Sequence, residues 1–159
     1  MVEILKAGSK GPSMLDRVIF AGGGTGGHIY MAVALAEELK KHNPNMHILF
    51  VGTQTGLESD VLPKTDIPLE TICIGGLKNV GILKTLLTLL QLPGSLIQSR
   101  KIVRGFAPSL VVGLGGYSSG PVVLASKWLG FPTLIIEPNV QPGFTNRLLR
   151  HWVDGAAVA

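Results

Sequence analysis

The sequence predicts an α/β fold: a Rossmann-like parallel sheet with helices on both faces. Three observations predict it. Short apolar runs rich in branched residues recur along the chain, each closing on glycine or another turn former, with helical patterns in the intervals. Hydrophobic residues make up 46% of the chain and charged residues 15%, a composition that suits a buried sheet and excludes general disorder. At 159 residues the chain is long enough to close one core, so residues 15–159 read as one domain behind a flexible leader, residues 1–14. The leader carries Lys6 and Lys10 without a sustained apolar stretch, which is not a secretory signal, and a cytoplasmic location is expected.

The strands fall near Arg17–Ala21, His47–Val51, Leu69–Ile74, Leu110–Leu114, Thr133–Ile136 and Gly155–Val158. Between the first two, Ala32, Leu35, Ala36 and Leu39 recur at helical spacing. Lys40, Lys41 and His42 suit the negative end of that helix, and Pro44 lies beyond it. Gly120 to Leu129 and Phe144 to His151 read as further helices. The most apolar stretch, Val80 to Ile97, is no membrane span, because Lys84 lies inside it and Pro93-Gly94 breaks it. Two readings of it stay open: a core-facing helix, or an interfacial helix with Lys78, Lys84, Arg100, Lys101 and Arg104 near its ends, resting on anionic lipid. Cys73, the one cysteine, forms no internal disulfide, and its apolar surroundings suit a small buried residue.

The charge of +4 is unevenly placed: eight basic residues lie between Thr71 and Val153 against one acid, Glu137. That bias favours a phosphate-bearing ligand or an anionic membrane face. Nucleic acid is disfavoured, because basic and aromatic residues do not interleave and zinc spacing is lacking. No metal-ligand spacing exists among the four histidines, and no cofactor is expected.

Loops that follow the strands of a parallel sheet converge on one edge, and three of them carry unusual chemistry. The first runs Gly22-Gly23-Gly24-Thr25-Gly26-Gly27-His28, where glycines admit a ligand to the backbone and free N–H groups at a helix start favour a diphosphate. The second, Gly113-Leu114-Gly115-Gly116-Tyr117-Ser118-Ser119-Gly120-Pro121, offers amides and hydroxyls for phosphate or sugar. The third holds Glu137, Asn139 and, downstream, Thr145-Asn146-Arg147. Glu137 is either a site group or a carboxylate paired with an arginine that props the loop.

Two familiar phosphate motifs fail on the first loop. Its glycines fit dinucleotide spacing, but the second strand ends Val51-Gly52-Thr53 without an acid for a ribose, which also disfavours an epimerase or oxidoreductase. His28-Ile29 stands where a P-loop needs lysine and a hydroxyl. His28 is the one acid-base candidate of the loop. A helix N-terminus favours its neutral form, able to accept a proton, and the alternative is a loop cap or phosphate ligand.

Taken together, Gly-Gly-Thr-Gly-Gly-His, Gly-Gly-Tyr-x-Ser-Gly-Pro and Glu-x-Asn with a later Asn-Arg resemble the MurG family of N-acetylglucosaminyltransferases, from about Arg17 onward. The resemblance implies the first domain of a two-domain glycosyltransferase of the GT-B type. It implies inverting transfer of N-acetylglucosamine from UDP-N-acetylglucosamine to undecaprenyl-diphosphoryl-MurNAc-pentapeptide, at the cytoplasmic face of the membrane. On it, His28 is the base or orients the attacking hydroxyl. Gly23, Gly24, Gly115, Gly116, Tyr117 and Ser118 hold the acceptor and its diphosphate, Thr25, Gly26, Gly27 and Asn139 reach the donor, and Glu137 and Arg147 support the third loop.

The chain departs from the family pattern at Tyr30-Met31, where most members have Phe-Pro or similar, and at Pro138, where glutamine is common. It ends about where the family's first domain closes, so the donor-binding domain is expected to be absent and the chain alone inactive. The alternative is a stand-alone acceptor-binding or membrane-recruiting subunit of a split transferase.

Overall fold

The computed structural model describes residues 15–75 and 82–158, the side chains of 82–89 excepted. Elements follow in the order β1 (Arg17–Gly22), α1 (Gly26–His42), β2 (His47–Thr53), α2 (Glu58–Val61), a 3-10 turn (Leu62–Lys64), β3 (Leu69–Ile72), α3 (Ile82–Phe106), β4 (Leu110–Gly115), α4 (Ser119–Trp128), β5 (Thr133–Glu137), α5 (Phe144–Leu149) and β6 (Gly155–Val158). The leader, Lys78 and the start of the Val80–Ile97 stretch lie outside the described residues.

All neighbouring strands pair in parallel, in the order β3-β2-β1-β4-β5-β6. The order reverses between β1 and β4, and a ligand crevice forms at such a switch point. Alternation along β1 feeds both faces. Val18 and Phe20 join Ile29, Ala32 and Ala36 of α1, while Ile19 and Ala21 join Val103 of α3 and Val122 and Val123 of α4. Coverage on both faces is the α/β arrangement expected, and it leaves the strand ends as the accessible edge.

Three expectations are corrected here, and one pair of elements is added. The helix α3 runs through Pro93-Gly94 instead of breaking there. Pro93 faces solvent, while Ser95, Ser99 and Val103 bury the opposite stripe and hold the helix down. Cys73 is exposed, not buried: β3 ends at Ile72, and the Cys73 N–H leaves the ladder to donate to Gln98 Oε1 at 2.7 Å. The segment between β2 and β3 folds into α2 and the 3-10 turn, which sequence periodicity did not show. Finally, α1 begins inside the first glycine loop, at Gly26, so Gly26, Gly27 and His28 are helical.

Candidate functional site

Loops one and two meet at the switch point, backbone against backbone. The pairing of Ala21 with Gly113 jumps to Gly22 with Gly115, a bulge that lifts the second loop toward the first. Gly116, at φ +79°, lies so near that a Cβ there would stand 2.4 Å from the Gly23 carbonyl oxygen. Only glycine fits that position, by conformation and by space alike. Gly115, at φ +98°, faces the His28 ring: a Cβ would be 3.1 Å from Nε2.

His28 therefore bridges the two loops from the first turn of α1. It is half-buried, with Nδ1 3.0 Å from Thr25 Oγ1 and 3.4 Å from the Gly23 carbonyl oxygen. When Nδ1 is unprotonated it accepts from the Thr25 hydroxyl; when protonated it donates to either oxygen. Thr25, Gly26 and Gly27 make the open rim of this helix start. The Thr25 side chain does not cap α1 and no acid lies in its first turn, so its leading N–H groups are open to an anion.

A cavity of about 320 Å³ opens beside the junction, lined among others by Gly23, Gly24, Tyr117 and Ser118. Four of the residues assigned to the acceptor thus share one wall. Ser118 Oγ is fully buried and has no hydrogen-bond partner among the described residues. A buried hydroxyl without a partner is costly unless something else bonds to it. Thr53, Thr55 and Asp60 complete the polar lining, and sequence reading missed all three. A larger groove, of about 770 Å³, lies between α3 and the starts of β2 and β3, away from every assigned residue.

The third loop is propped as expected, by different residues. Glu137 is buried, and its carboxylate accepts from Asn139 N–H at 3.0 Å, Asn139 Nδ2 at 2.8 Å, Gly143 N–H at 2.8 Å and Asn146 Nδ2 at 3.1 Å. Burial pushes this carboxyl up, yet the amide donors outweigh burial and leave it below the usual glutamate value. Among the described residues no cation pairs with Glu137; Arg147 is exposed, and Asn146 does the work given to it. The helix start explains the exchange: Gly143 precedes α5, placing Asn146 on its buried face and Arg147 toward solvent. Asn139 spends its side-chain amide on Glu137, and among the described residues no donor reaches its side-chain oxygen. Neither residue lines the cavity beside Tyr117.

Glu58 is the largest omission of the sequence reading. It is wholly buried on α2, and its carboxylate accepts from Gly24 N–H at 3.1 Å, Thr53 N–H at 2.7 Å and Thr53 Oγ1 at 2.8 Å. The expectation that the first loop keeps its amides free fails at Gly24. A ribose-binding acid would stand at the end of β2, whereas Glu58 lies beyond it, on a short helix that carries no periodic signal. Among the described residues no group of three or more His, Cys, Asp or Glu is placed to hold a metal ion.

Residues 18–158 match the glycosyltransferase family 28 N-terminal domain. The chain belongs to this family. A relative from Anaeromyxobacter sp. (strain Fw109-5), named UDP-N-acetylglucosamine--N-acetylmuramyl-(pentapeptide) pyrophosphoryl-undecaprenol N-acetylglucosamine transferase, is 50% identical over 143 residues, covering 90% of this chain and 38% of its own. A relative of the same name from Syntrophus aciditrophicus (strain SB) is 49% identical, covering 89% of this chain and 39% of its own. The crystal structure of Acinetobacter baumannii MurG superposes with a TM-score of 0.79 at 30% identity, over 91% of this chain and 41% of that one. A putative UDP-N-acetylglucosamine 2-epimerase from Listeria monocytogenes, at 15% identity and a TM-score of 0.61 over 89% of this chain and 38% of its own, shares the fold alone. The chain thus spans about two fifths of the length of the relatives it matches.

Proposed function

We propose that this domain is the acceptor-binding half of an inverting transferase that moves N-acetylglucosamine from UDP-N-acetylglucosamine to undecaprenyl-diphosphoryl-MurNAc-pentapeptide. The observation that carries the reading is the switch-point junction, where two glycine loops touch, His28 bridges them, and a polar cavity opens beside Ser118. The acceptor lies along Gly115, Gly116, Tyr117 and Ser118, its diphosphate taking the Ser118 hydroxyl and the amides that open α4. Gly23 and Gly24 give it room, and Gly24 gives no donor, because Glu58 occupies its amide. The donor approaches the uncapped start of α1 at Thr25, Gly26 and Gly27, and the side-chain oxygen of Asn139.

Chemically this is one displacement. The acceptor hydroxyl oxygen bonds to the anomeric carbon, the bond to UDP breaks on the opposite side, and the hydroxyl proton passes to His28. UDP departs with the bonding electrons, and helix-start amides offset the charge it gains. Glu137 and Asn146 hold the third loop, while Arg147, exposed, is free for a phosphate. The second half of the donor site belongs to the remaining length that the relatives carry, so the 159 residues alone do not turn over.

The domain also works against a membrane face on the cytoplasmic side. No helix among the described residues is long and apolar enough to cross a membrane. On α3, however, Leu90 and Ile97 are each 70% exposed, and Arg100, Lys101 and Arg104 follow them in solvent. Apolar residues beside cations suit an anionic lipid surface, and this favours the interfacial reading of α3 over a purely core-facing one.

Binding of a short-chain, water-soluble analogue of the lipid-linked acceptor, measured by calorimetry, tests the reading. Affinity is expected to fall about ten-fold in Ser118→Ala, from loss of one hydrogen bond to a charged group. An unchanged affinity in that variant, or no binding by the wild type, contradicts it.

A further inference from the structure

We propose that Glu58 is the positioning residue of the first glycine loop, setting the loop's path and through it the placement of His28. The inference rests on the reading above for its functional consequence.

Three glycines from three segments wrap this carboxylate. A Cβ at Gly23, at Gly52 or at Gly56 would lie 2.3, 2.7 or 2.1 Å from the Glu58 side chain. The chain has thus given up side chains in the first loop, in β2 and in the turn before α2 around one acid. The cage also keeps water away: Glu58 has no exposed surface, and among the described residues no cation pairs with it. Burying a carboxylate without a countercharge is expensive, and an apolar side chain of similar volume would stabilise the same space at lower cost. What an apolar side chain cannot do is bond three donors from two segments at once.

Those bonds join the end of β2 to the loop after β1. Oε1 takes both donors of Thr53, and Oε2 takes the Gly24 N–H. Gly24, at φ +80°, has nothing within 4 Å of where a Cβ would stand, so no side-chain packing holds it in that conformation. The carboxylate supplies the restraint. One residue back, the Gly23 carbonyl oxygen lies 3.4 Å from His28 Nδ1, and one residue on, Thr25 Oγ1 lies 3.0 Å from the same nitrogen. Both contacts that orient the imidazole therefore flank the peptide that Glu58 fixes.

The test compares wild type, Glu58→Gln and Glu58→Asp, with Glu38→Gln, a solvent-facing change on α1, as control. Glutamine keeps size and shape but offers one oxygen and two N–H groups, so it cannot satisfy Thr53 and Gly24 together. In the unliganded protein, amide exchange at Gly24 is expected to quicken about ten-fold in Glu58→Gln. The ring nitrogen resonances of His28 are expected to shift, and Glu38→Gln to change neither. Binding of the water-soluble acceptor analogue and of UDP-N-acetylglucosamine is then expected to weaken in step with the loosened loop. Should Glu58→Gln fail to fold, Glu58→Asp, which keeps the charge but withdraws it by one methylene, reports the same two signals.

Unchanged Gly24 exchange and unchanged His28 resonances in the folded variants overturn the proposal. So does a released loop with full ligand affinity. If wild type binds neither ligand, the substrate reading fails, and the exchange and histidine signals still decide whether Glu58 positions the loop.

Discussion

Gly116→Ala and Gly130→Ala form a pair that isolates the contact between the two loops. Both glycines sit at nearly the same left-handed angle, φ +79° and φ +81°, so alanine meets similar backbone strain at either place. That strain is about 1–2 kcal/mol, offset in part by about 0.4–1 kcal/mol from the stiffer unfolded chain. At Gly130 nothing lies within 4 Å of the new Cβ, and the net loss should stay near 1 kcal/mol. At Gly116 the same atom lands 2.4 Å from the Gly23 carbonyl oxygen, a backbone atom that cannot swing aside. Overpacking of that kind adds about 1–3 kcal/mol. Urea unfolding followed by the fluorescence of Trp128 and Trp152 measures the difference. In melting temperature it amounts to about 2–4 °C for each kcal/mol in a chain of this size. Gly116→Ala should also weaken acceptor-analogue binding, and Gly130→Ala should not. Equal stability loss in the two variants would refute the argument that the loops touch through glycine.

Removing the buried Glu137 carboxylate by Glu137→Ala leaves the amides of Asn139, Gly143 and Asn146 without their acceptor and should cost about 3 kcal/mol in chemical unfolding. Arg147→Ala should cost under about 0.5 kcal/mol, since the side chain is exposed. Acid should destabilise the protein through Glu137 and Asp154. Burial raises both carboxyls, but amide donors at Glu137, and Lys127 and Thr133 at Asp154, outweigh it and hold both below their ordinary values. Their contribution is therefore complete above about pH 4, the unfolded value, and is lost as pH falls through the lower folded values. Glu137→Gln with Asp154→Asn should flatten the acid limb of a stability-against-pH curve. On α3, Leu90→Ser with Ile97→Ser should reduce retention on anionic vesicles at low salt while moving the unfolding midpoint little; equal retention would return the helix to a core role. Transfer of N-acetylglucosamine by the purified 159 residues would contradict the claim that they need further chain.

The sheet was legible chiefly because β1, β2 and β4 are branched, apolar runs buried on both faces, so their signal is continuous and local. Strand ends were less so: β1, β2, β4 and β5 extend past the predicted limits into glycine or polar residues that carry no apolar signal. The glycine loops were legible because only glycine tolerates the angles and approaches found at positions 115 and 116. What escaped depends on distant partners. Glu58 acts on Gly24, 34 residues away, and looks from its own neighbours like a surface acid. Asn146 stands in the motif, yet charge complementarity points to Arg147 as the partner of Glu137, while the helix phase puts the amide inside. Pro93 misled for a related reason. Local propensity ends a helix there, and tertiary burial of Ser95, Ser99 and Val103 carries it on.

Resonance mapping of the labelled chain titrated with the soluble acceptor analogue and, separately, with UDP-N-acetylglucosamine tests the central claim most directly, in wild type and in His28→Ala. The account predicts that the acceptor analogue shifts the amides of Gly115, Gly116, Tyr117 and Ser118 and that its affinity drops about ten-fold without the imidazole. Shifts confined to α3 or to the groove beside Phe106, with Ser118 unmoved and His28→Ala binding as wild type, would contradict it.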